Sequence, residues 1–275
     1  MLVFIIPIKS AQISKSWDSV CQLLERTVRS IFNQTDSNFK VIIVCNEKPK
    51  IHFEHSSLHF VEINSPVPKT AQDRQDDRAK KAIAGLRYAR QFSPNHVMFV
   101  DADDCVSRRI AAFANQHPDA DGWYVNSGYV YQEGSRWIYY RKSDFQKWCG
   151  TCHIIRFDRC PIPDREDDYP EDSLKYYALF SHRNLNEVLK QTPPQPLPFP
   201  GTVYIIGHGD NDYQTGFGSI HNANRGNLLF KLKETLKFRP ISPSIRQEFG
   251  LYSLSYPYAN RADLSSHSTK PGANR

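Results

Sequence analysis

Hydrophobic and polar positions alternate between two rhythms along this chain, and the change of rhythm divides it. Val3 to Ile8 is a short apolar run ending near Pro7 and Lys9, which predicts a buried strand. The segment that follows, up to Phe32, places Val20, Leu23, Leu24, Val28 and Ile31 at helical spacing. Lys40 to Cys45 (KVIIVC) is apolar at consecutive positions, as in parallel strands covered on both faces. His59 to Ile63 predicts a weaker third strand. Asp73 to Phe92 predicts a charged helix with Ala79, Ile83, Leu86 and Ala89 facing inward, and Val97 to Val100 predicts a strand that runs straight into Asp101-Ala102-Asp103-Asp104. Strand and helix in alternation imply βαβ units and a parallel sheet.

Beyond that point the pattern becomes mixed. Trp123 to Tyr131 and Ser135 to Tyr140 are aromatic and alternating, and Glu133-Gly134 between them predicts a hairpin. Helices are expected over about 170–180 and 183–191, and the five prolines of residues 191–200 require an extended connector. Thr202 to Gly207 predicts another strand and Asn227 to Phe238 an amphipathic helix. The expectation is one domain over 1–253, with a nucleotide-binding half to about 105 and an acceptor half after it, then a polar, disordered tail over 254–275.

Composition narrows the classes. A chain of 275 residues, 40% hydrophobic, can bury one substantial core. A formal net charge of +6 suits anionic nucleotides or acidic lipid headgroups. Because no basic run interleaved with aromatics appears, nucleic acid is not the expected partner. The apolar start is too short for an export signal or a membrane span, so a cytoplasmic protein is expected, touching the inner face of the membrane peripherally if at all. The cysteines are then expected to be free thiols.

VMFVDADDC puts three carboxylates at the end of a buried strand, where open α/β sheets bind ligands. Such an oxygen-rich group suits Mg²⁺ or Mn²⁺; alternatively it ends the strand and caps a helix starting near Ser107. Cys149-Gly150-Thr151-Cys152-His153 matches both redox CxxC and haem-attachment CxxCH spacings. Haem attachment goes with export, which the apolar start does not suggest, and redox pairs of this type stand at a helix start, not after an aromatic hairpin.

The succession of a strand ending IIP, a helix with SIFNQ, KVIIVC, a helix with Lys80 and Lys81, and FVDADD resembles bacterial family 2 glycosyltransferases over Val3 to Asp104. The resemblance implies a GT-A fold, an α/β architecture with a mostly parallel sheet flanked by helices and a mixed acceptor half. It implies a metal-dependent, inverting glycosyl transfer from a nucleotide-sugar, a UDP-hexose first, to a glycan or lipid-linked glycan. Pro7, Ile8 and Cys45 to Glu47 (Asn46 and Glu47 standing where the family often has an acidic pair) would frame the base. Asp101, with Ala102, would meet the donor; Asp103 would bind the metal, with Asp101 and Asp104 assisting. Arg78 and Lys81 either add phosphate contacts or form a solvated helix face. His208 or His221 would complete the metal site, within a Gly207 to Gly226 stretch that could close as a lid, and the GTCHIIR segment would line the acceptor side. A Glu-Asp pair at a helix start implies Glu171 and Asp172 as the catalytic carboxylates, Asp172 as base with Asp168 as its rival; helix-dipole stabilisation is the alternative reading of these acids. A nucleotidyltransferase or a non-catalytic nucleotide-sugar binder are the competing functions.

Overall fold

The structure, a computed structural model, describes residues 1–165, 169–179, 193–209, 217 and 234–254. Its elements run β1 (Leu2–Pro7), α1 (Trp17–Ile31), β2 (Phe39–Cys45), β3 (Leu58–Glu62), α2 (Ala71–Ala89), β4 (His96–Phe99), β5 (Cys105–Val106), α3 (Ile110–Gln116), β6 (Gly122–Tyr124), β7 (Gly128–Gln132), β8 (Trp137–Arg141), β9 (His153–Arg156), α4 (Glu171–Leu179), β10 (Gln195–Pro196), β11 (Thr202–Ile206), β12 (Phe238–Pro240) and α5 (Pro243–Phe249). Two sheets organise them. The larger has the order β10-β6-β9-β4-β1-β2-β3, with β4, β1, β2 and β3 mutually parallel and β9 antiparallel to β4 and β6. The smaller, β12-β8-β7-β11-β5, is mostly antiparallel. This is the α/β class that the sequence implied, a mostly parallel sheet flanked by helices with a mixed second half.

The period-2 alternation of β1 explains how the layers form. Leu2, Phe4 and Ile6 pack with Val20, Leu24 and Val28 of α1, whereas Val3 and Ile5 pack with Ala79, Ile83 and Leu86 of α2. A strand covered on both faces needs continuous apolar sequence, which Leu2–Pro7 has. Gly85 lets α2 approach, since a Cβ there would lie 2.6 Å from Ile5 Cγ2. The N-termini of the helices are capped as their sequences allow. Ser16 accepts from the Ser19 N–H, and Thr70 with Asp73 forms a capping box.

The structure corrects three expectations. Trp123 to Tyr131 is two strands: β6 joins the larger sheet beside β9 and β7 the smaller. Between them Val125 donates to the Cys152 carbonyl and Asn126 accepts from the Phe145 N–H, so these backbone groups serve loops instead of a ladder. The helix expected near Ser107 begins at Ile110, because β5 intervenes. Phe238, expected at a helix end, opens β12, and only Glu234 and Thr235 of residues 227–238 are helical among those described. The helix over 183–191 and the tail beyond 254 lie outside the described residues.

A buried ion pair holds the halves together. Arg26 of α1 is fully buried, and its Nη1 donates to Glu133 Oε2 at 2.7 Å in the β7–β8 turn and to the Tyr252 carbonyl at 3.2 Å. The other Glu133 oxygen accepts from the Leu254 N–H. Removing one member strands a buried charge. Arg26→Ala is therefore expected to cost about 3–5 kcal/mol of stability, read as a lowered urea midpoint; a loss below about 1 kcal/mol would show that the pair contributes little.

Candidate functional site

The four residues Asp101–Asp104 form the passage from β4, in the larger sheet, to β5, in the smaller one. They lie at the carboxyl end of the parallel strands, the edge at which α/β sheets bind ligands. Each carboxylate then meets a different environment. Asp101 pairs with Nη2 of Arg78 in α2, both side chains remaining partly exposed. Asp103 lies with its Oδ2 3.0 Å from His208 Nε2, just beyond β11. Asp104 is fully buried, and its oxygens accept from Thr151 Oγ1 at 2.6 Å, Cys149 Sγ at 3.2 Å and the Ile205 N–H at 3.2 Å.

Electrostatics sharpen the contrast. Burial would raise the Asp103 carboxyl, but the contact with His208 and the field of Lys9 more than offset it and hold the group below the ordinary carboxylate range. Asp104 goes the other way: burial, then the charges of Asp103 and Asp101, push it well above. Asp103 is thus an ionised, reachable carboxylate, and Asp104 is a support beneath it. That is a correction to Asp104 as a metal ligand, since its oxygens are already engaged by three donors.

The Cys149–His153 segment is what holds the turn. Thr151 Oγ1 accepts the Asp101 N–H at 2.8 Å while donating to Asp104, and the Thr151 carbonyl accepts from Thr202 Oγ1. Gly150 fits against Asp101 because it lacks a side chain: a Cβ would overlap Asp101 Oδ2 and come within 3.0 Å of Arg78 Nη2. The family resemblance implies that GTCHIIR lines the acceptor side; in the structure Gly150 and Thr151 cradle the acidic turn. Cys149 and Cys152 are reduced and buried, and burial with the Asp104 charge pushes the Cys149 thiol well above its usual range, which deprives it of the thiolate that redox chemistry needs. Burial likewise pushes Cys45 up to about 11 and Cys105 up to about 12. All six cysteines are buried; a thiol reagent is expected to label almost none of them in the native protein and all of them in urea. Rapid native labelling of Cys149 would restore the redox reading.

A second region lies across the ends of β1, β2 and β3. A cavity of about 470 Å³ is lined by Ser10, Asn46, Glu47, Glu62, Asn64 and Val67, among others. Glu47 accepts from the Ser10 hydroxyl at 2.8 Å and the Ala11 N–H at 3.1 Å, so it braces the loop after β1. The Asn46 amide group donates to the carbonyls of Ser65 at 3.2 Å and Ile63 at 3.5 Å, and its Oδ1 is buried with no partner among the described residues. A buried acceptor left unpaired costs about 1–3 kcal/mol, which a ligand N–H would recover. Ile8 is buried and Pro7 half-buried at the end of β1. Lys81 corrects a further expectation. It is buried, its Nζ donating to Asp77 at 2.7 Å and to the Ile8 carbonyl at 2.8 Å, so it fastens α2 to the end of β1 and is not open to phosphate.

Lys9 is the residue that sequence reasoning missed. A basic residue two positions beyond the end of a buried strand, at the edge where α/β sheets bind ligands, was the available signal. Glu171 and Asp172 stand exposed in the first turn of α4, which packs on α2, with Tyr177 against Phe99. Asp168 and His221 lie outside the described residues. So does most of the Gly207 to Gly226 stretch.

Among the described residues no three His, Cys, Asp or Glu side chains converge as a ready-made metal site. One carboxylate and one imidazole do meet, and that pair suits a divalent ion that takes its remaining ligands from phosphate oxygens and water.

No family model and no curated protein sequence matches the chain. Among solved structures it is similar to Staphylococcus aureus TarS 1–349, at 12% identity and a TM-score of 0.42, covering 74% of this chain and 60% of that one. It is similar to Francisella tularensis 2-C-methyl-D-erythritol 4-phosphate cytidylyltransferase at 11% identity and a TM-score of 0.40, covering 82% and 99%. A 4-diphosphocytidyl-2C-methyl-D-erythritol synthase gives 12%, 0.35, 80% and 95%. The chain spans about 60% of the length of TarS 1–349, and likeness this distant does not bear on activity.

Proposed function

We propose that the protein transfers a sugar from a nucleotide-sugar, a UDP-hexose in the first instance, to a hydroxyl of a glycan or lipid-linked glycan, with inversion at the anomeric carbon. One observation carries the reading. Ser10 lines the cavity beside Asn46, and the charge of the preceding Lys9 acts on Asp103, so a cavity sized for a nucleoside and the Asp103–His208 pair are linked through one loop. That spacing suits a nucleoside with its diphosphate. Asn46 Oδ1 would accept from a base N–H, such as the imino group of uracil.

Asp103 and His208 would hold the divalent ion, Mn²⁺ or Mg²⁺. When bound it would neutralise the charge that develops on the leaving nucleoside diphosphate. Lys9 would add positive charge near Asp103 and Arg78 at Asp101, and Thr151 keeps the Asp101 backbone in register. Asp172 is proposed to take the acceptor proton, from its exposed place at the head of α4, with Asp168 as rival.

The experiment is product analysis. Incubation with UDP-hexoses and Mn²⁺ is expected to release UDP, increasingly so with an acceptor glycan. Pyrophosphate released from a nucleoside triphosphate and a sugar phosphate would make the protein a nucleotidyltransferase. Stabilisation by UDP without turnover of any donor would make it a binder.

A further inference from the structure

Arg141 closes β8 on the same face of the smaller sheet as Tyr139, for it lies opposite Gly128 as Tyr139 lies opposite Val130. The segment over residues 145–151 covers that face: Phe145 is the ring that a Cβ at Gly128 would meet, and the Trp148 ring stacks parallel to Tyr139. The Arg141 guanidinium lies over the Trp148 ring, 4.2 Å from its centroid, and its Nε donates to the Asp144 carbonyl at 3.3 Å. Both residues are half-buried. The acids nearby are already matched: Asp144 pairs with Lys147 at 2.8 Å, and Glu234 accepts from Lys237 and Tyr139. The Arg141 charge is left over, and its two terminal NH2 groups bond to none of the described residues. Stacking on an aromatic face holds a guanidinium flat and leaves its fork preorganised for an oxyanion.

Strand order sets this cation across the acidic turn from the cavity. β4, which runs into Asp101–Asp104, has β1 on one side and β9 on the other. The cavity lies at the ends of β1, β2 and β3, whereas Trp148 belongs to the segment that enters β9. Trp148 is two Cα steps, at most about 7.6 Å, from Gly150, which packs on Asp101. With the donor nucleoside in the cavity, as proposed above, the Arg141–Trp148 stack stands on the side from which the acceptor must approach the turn. From this geometry we infer that Arg141 reads an anionic group, a phosphate or a carboxylate, carried by the acceptor close to the hydroxyl that is glycosylated. The fork would donate two charge-assisted hydrogen bonds to the oxyanion, and a neutral glycan offers no partner for that charge. The acceptor side of the inference rests on the nucleotide-sugar reading; the anion site rests on Arg141 and its neighbours alone.

Titration of the full chain with small probes, followed by tryptophan emission with and without UDP and Mg²⁺, tests it. Glycerol 3-phosphate is compared with glycerol, and glucuronate with glucose, so that the two pairs tell phosphate from carboxylate. At least one anionic probe is expected to bind more than tenfold more tightly than its neutral counterpart, and to do so with UDP and Mg²⁺ present. Arg141→Gln should weaken that probe by about tenfold to a hundredfold, with UDP still raising the Tm. Arg141→Lys keeps the charge and loses the fork, so it should fall between the two, and it decides the matter if Arg141→Gln does not fold. Equal binding of charged and neutral probes by the native protein overturns the inference, as does an undiminished preference in both variants. Displacement of the anionic probe by UDP with Mg²⁺ also overturns it, by putting the anion at the donor phosphates. A protein that ignores UDP yet binds the anion through Arg141 would sink the nucleotide-sugar reading and keep the anion site.

Discussion

Asp103→Asn is expected to abolish most metal-dependent turnover, by on the order of 10²–10⁴-fold, while the protein stays folded. The asparagine keeps the shape and loses the charge. Asp103 is partly exposed, ionised and 3.0 Å from the His208 imidazole, so the substitution removes the one reachable carboxylate of the pair that would hold the ion. The held-down Asp103 contributes stability at pH values above the ordinary carboxylate range, and that contribution is lost as pH falls through its depressed folded value. The variant should lack this acid limb in its stability profile. Asp104→Asn is the informative contrast. Its carboxyl is raised, so the folded state holds a proton that the unfolded state has released, and stability falls as pH rises from the ordinary carboxylate range through the raised value. An amide carries no charge and keeps one carbonyl for the Thr151 hydroxyl and Cys149 thiol, while its NH2 faces the Ile205 N–H. Tm should therefore fall by the loss of that hydrogen bond, and activity by less than about tenfold. Steady-state rates and melting curves of the two variants decide the matter; near-native turnover in Asp103→Asn, or equal losses in both, would refute the division of roles.

Gly150→Ala should be nearly as damaging, through a single methyl group. The new Cβ would overlap Asp101 Oδ2 and crowd Arg78 Nη2. Either Asp101 and Arg78 separate, or residues 149–151 withdraw and the Thr151 hydroxyl leaves the Asp101 N–H. A displacement of about 1 Å in positioning groups can cost about 10²-fold in rate, and overpacking costs about 1–3 kcal/mol. We expect a hundredfold loss of turnover with a modest loss of Tm. Gly134→Ala is the control. Gly134 has φ +77° and open space around it, so its substitution strains the hairpin turn and leaves the site untouched. If Gly150→Ala were fully active, the cradle would not be what positions the turn.

Some of this was legible in the residues themselves. The apolar runs of β1, β2 and β4 and the helical stripe of α2 are local patterns, and each of them buries the residues that its period selects. The acidic turn at the end of β4 was legible for the same reason, because a buried strand running into three carboxylates fixes where they must emerge. The second half was harder to read. Trp123 to Tyr131 alternates as one strand would. It is divided where Val125 bonds to Cys152 and Asn126 to Phe145, and Gly128, opening β7, lets the Phe145 ring and the Thr202 carbonyl approach to 2.7 Å of where a Cβ would be. Those neighbours are distant in sequence.

Sequence alone therefore determined the strand and helix pattern of the first hundred residues and the place of the carboxylates, since both follow from periodicity and from the chemistry of adjacent residues. Tertiary structure alone decided which carboxylate is which. Asp103 and Asp104 are neighbours of one residue type, yet His208 and Lys9 keep one ionised, while Thr151, Cys149 and the Ile205 N–H bury the other. The same folding turned Lys81 inward to Asp77 and made a supposed redox motif into the cradle of the site. The partners that bury Asp104 lie 45 to 101 residues away along the chain, and no local pattern records them.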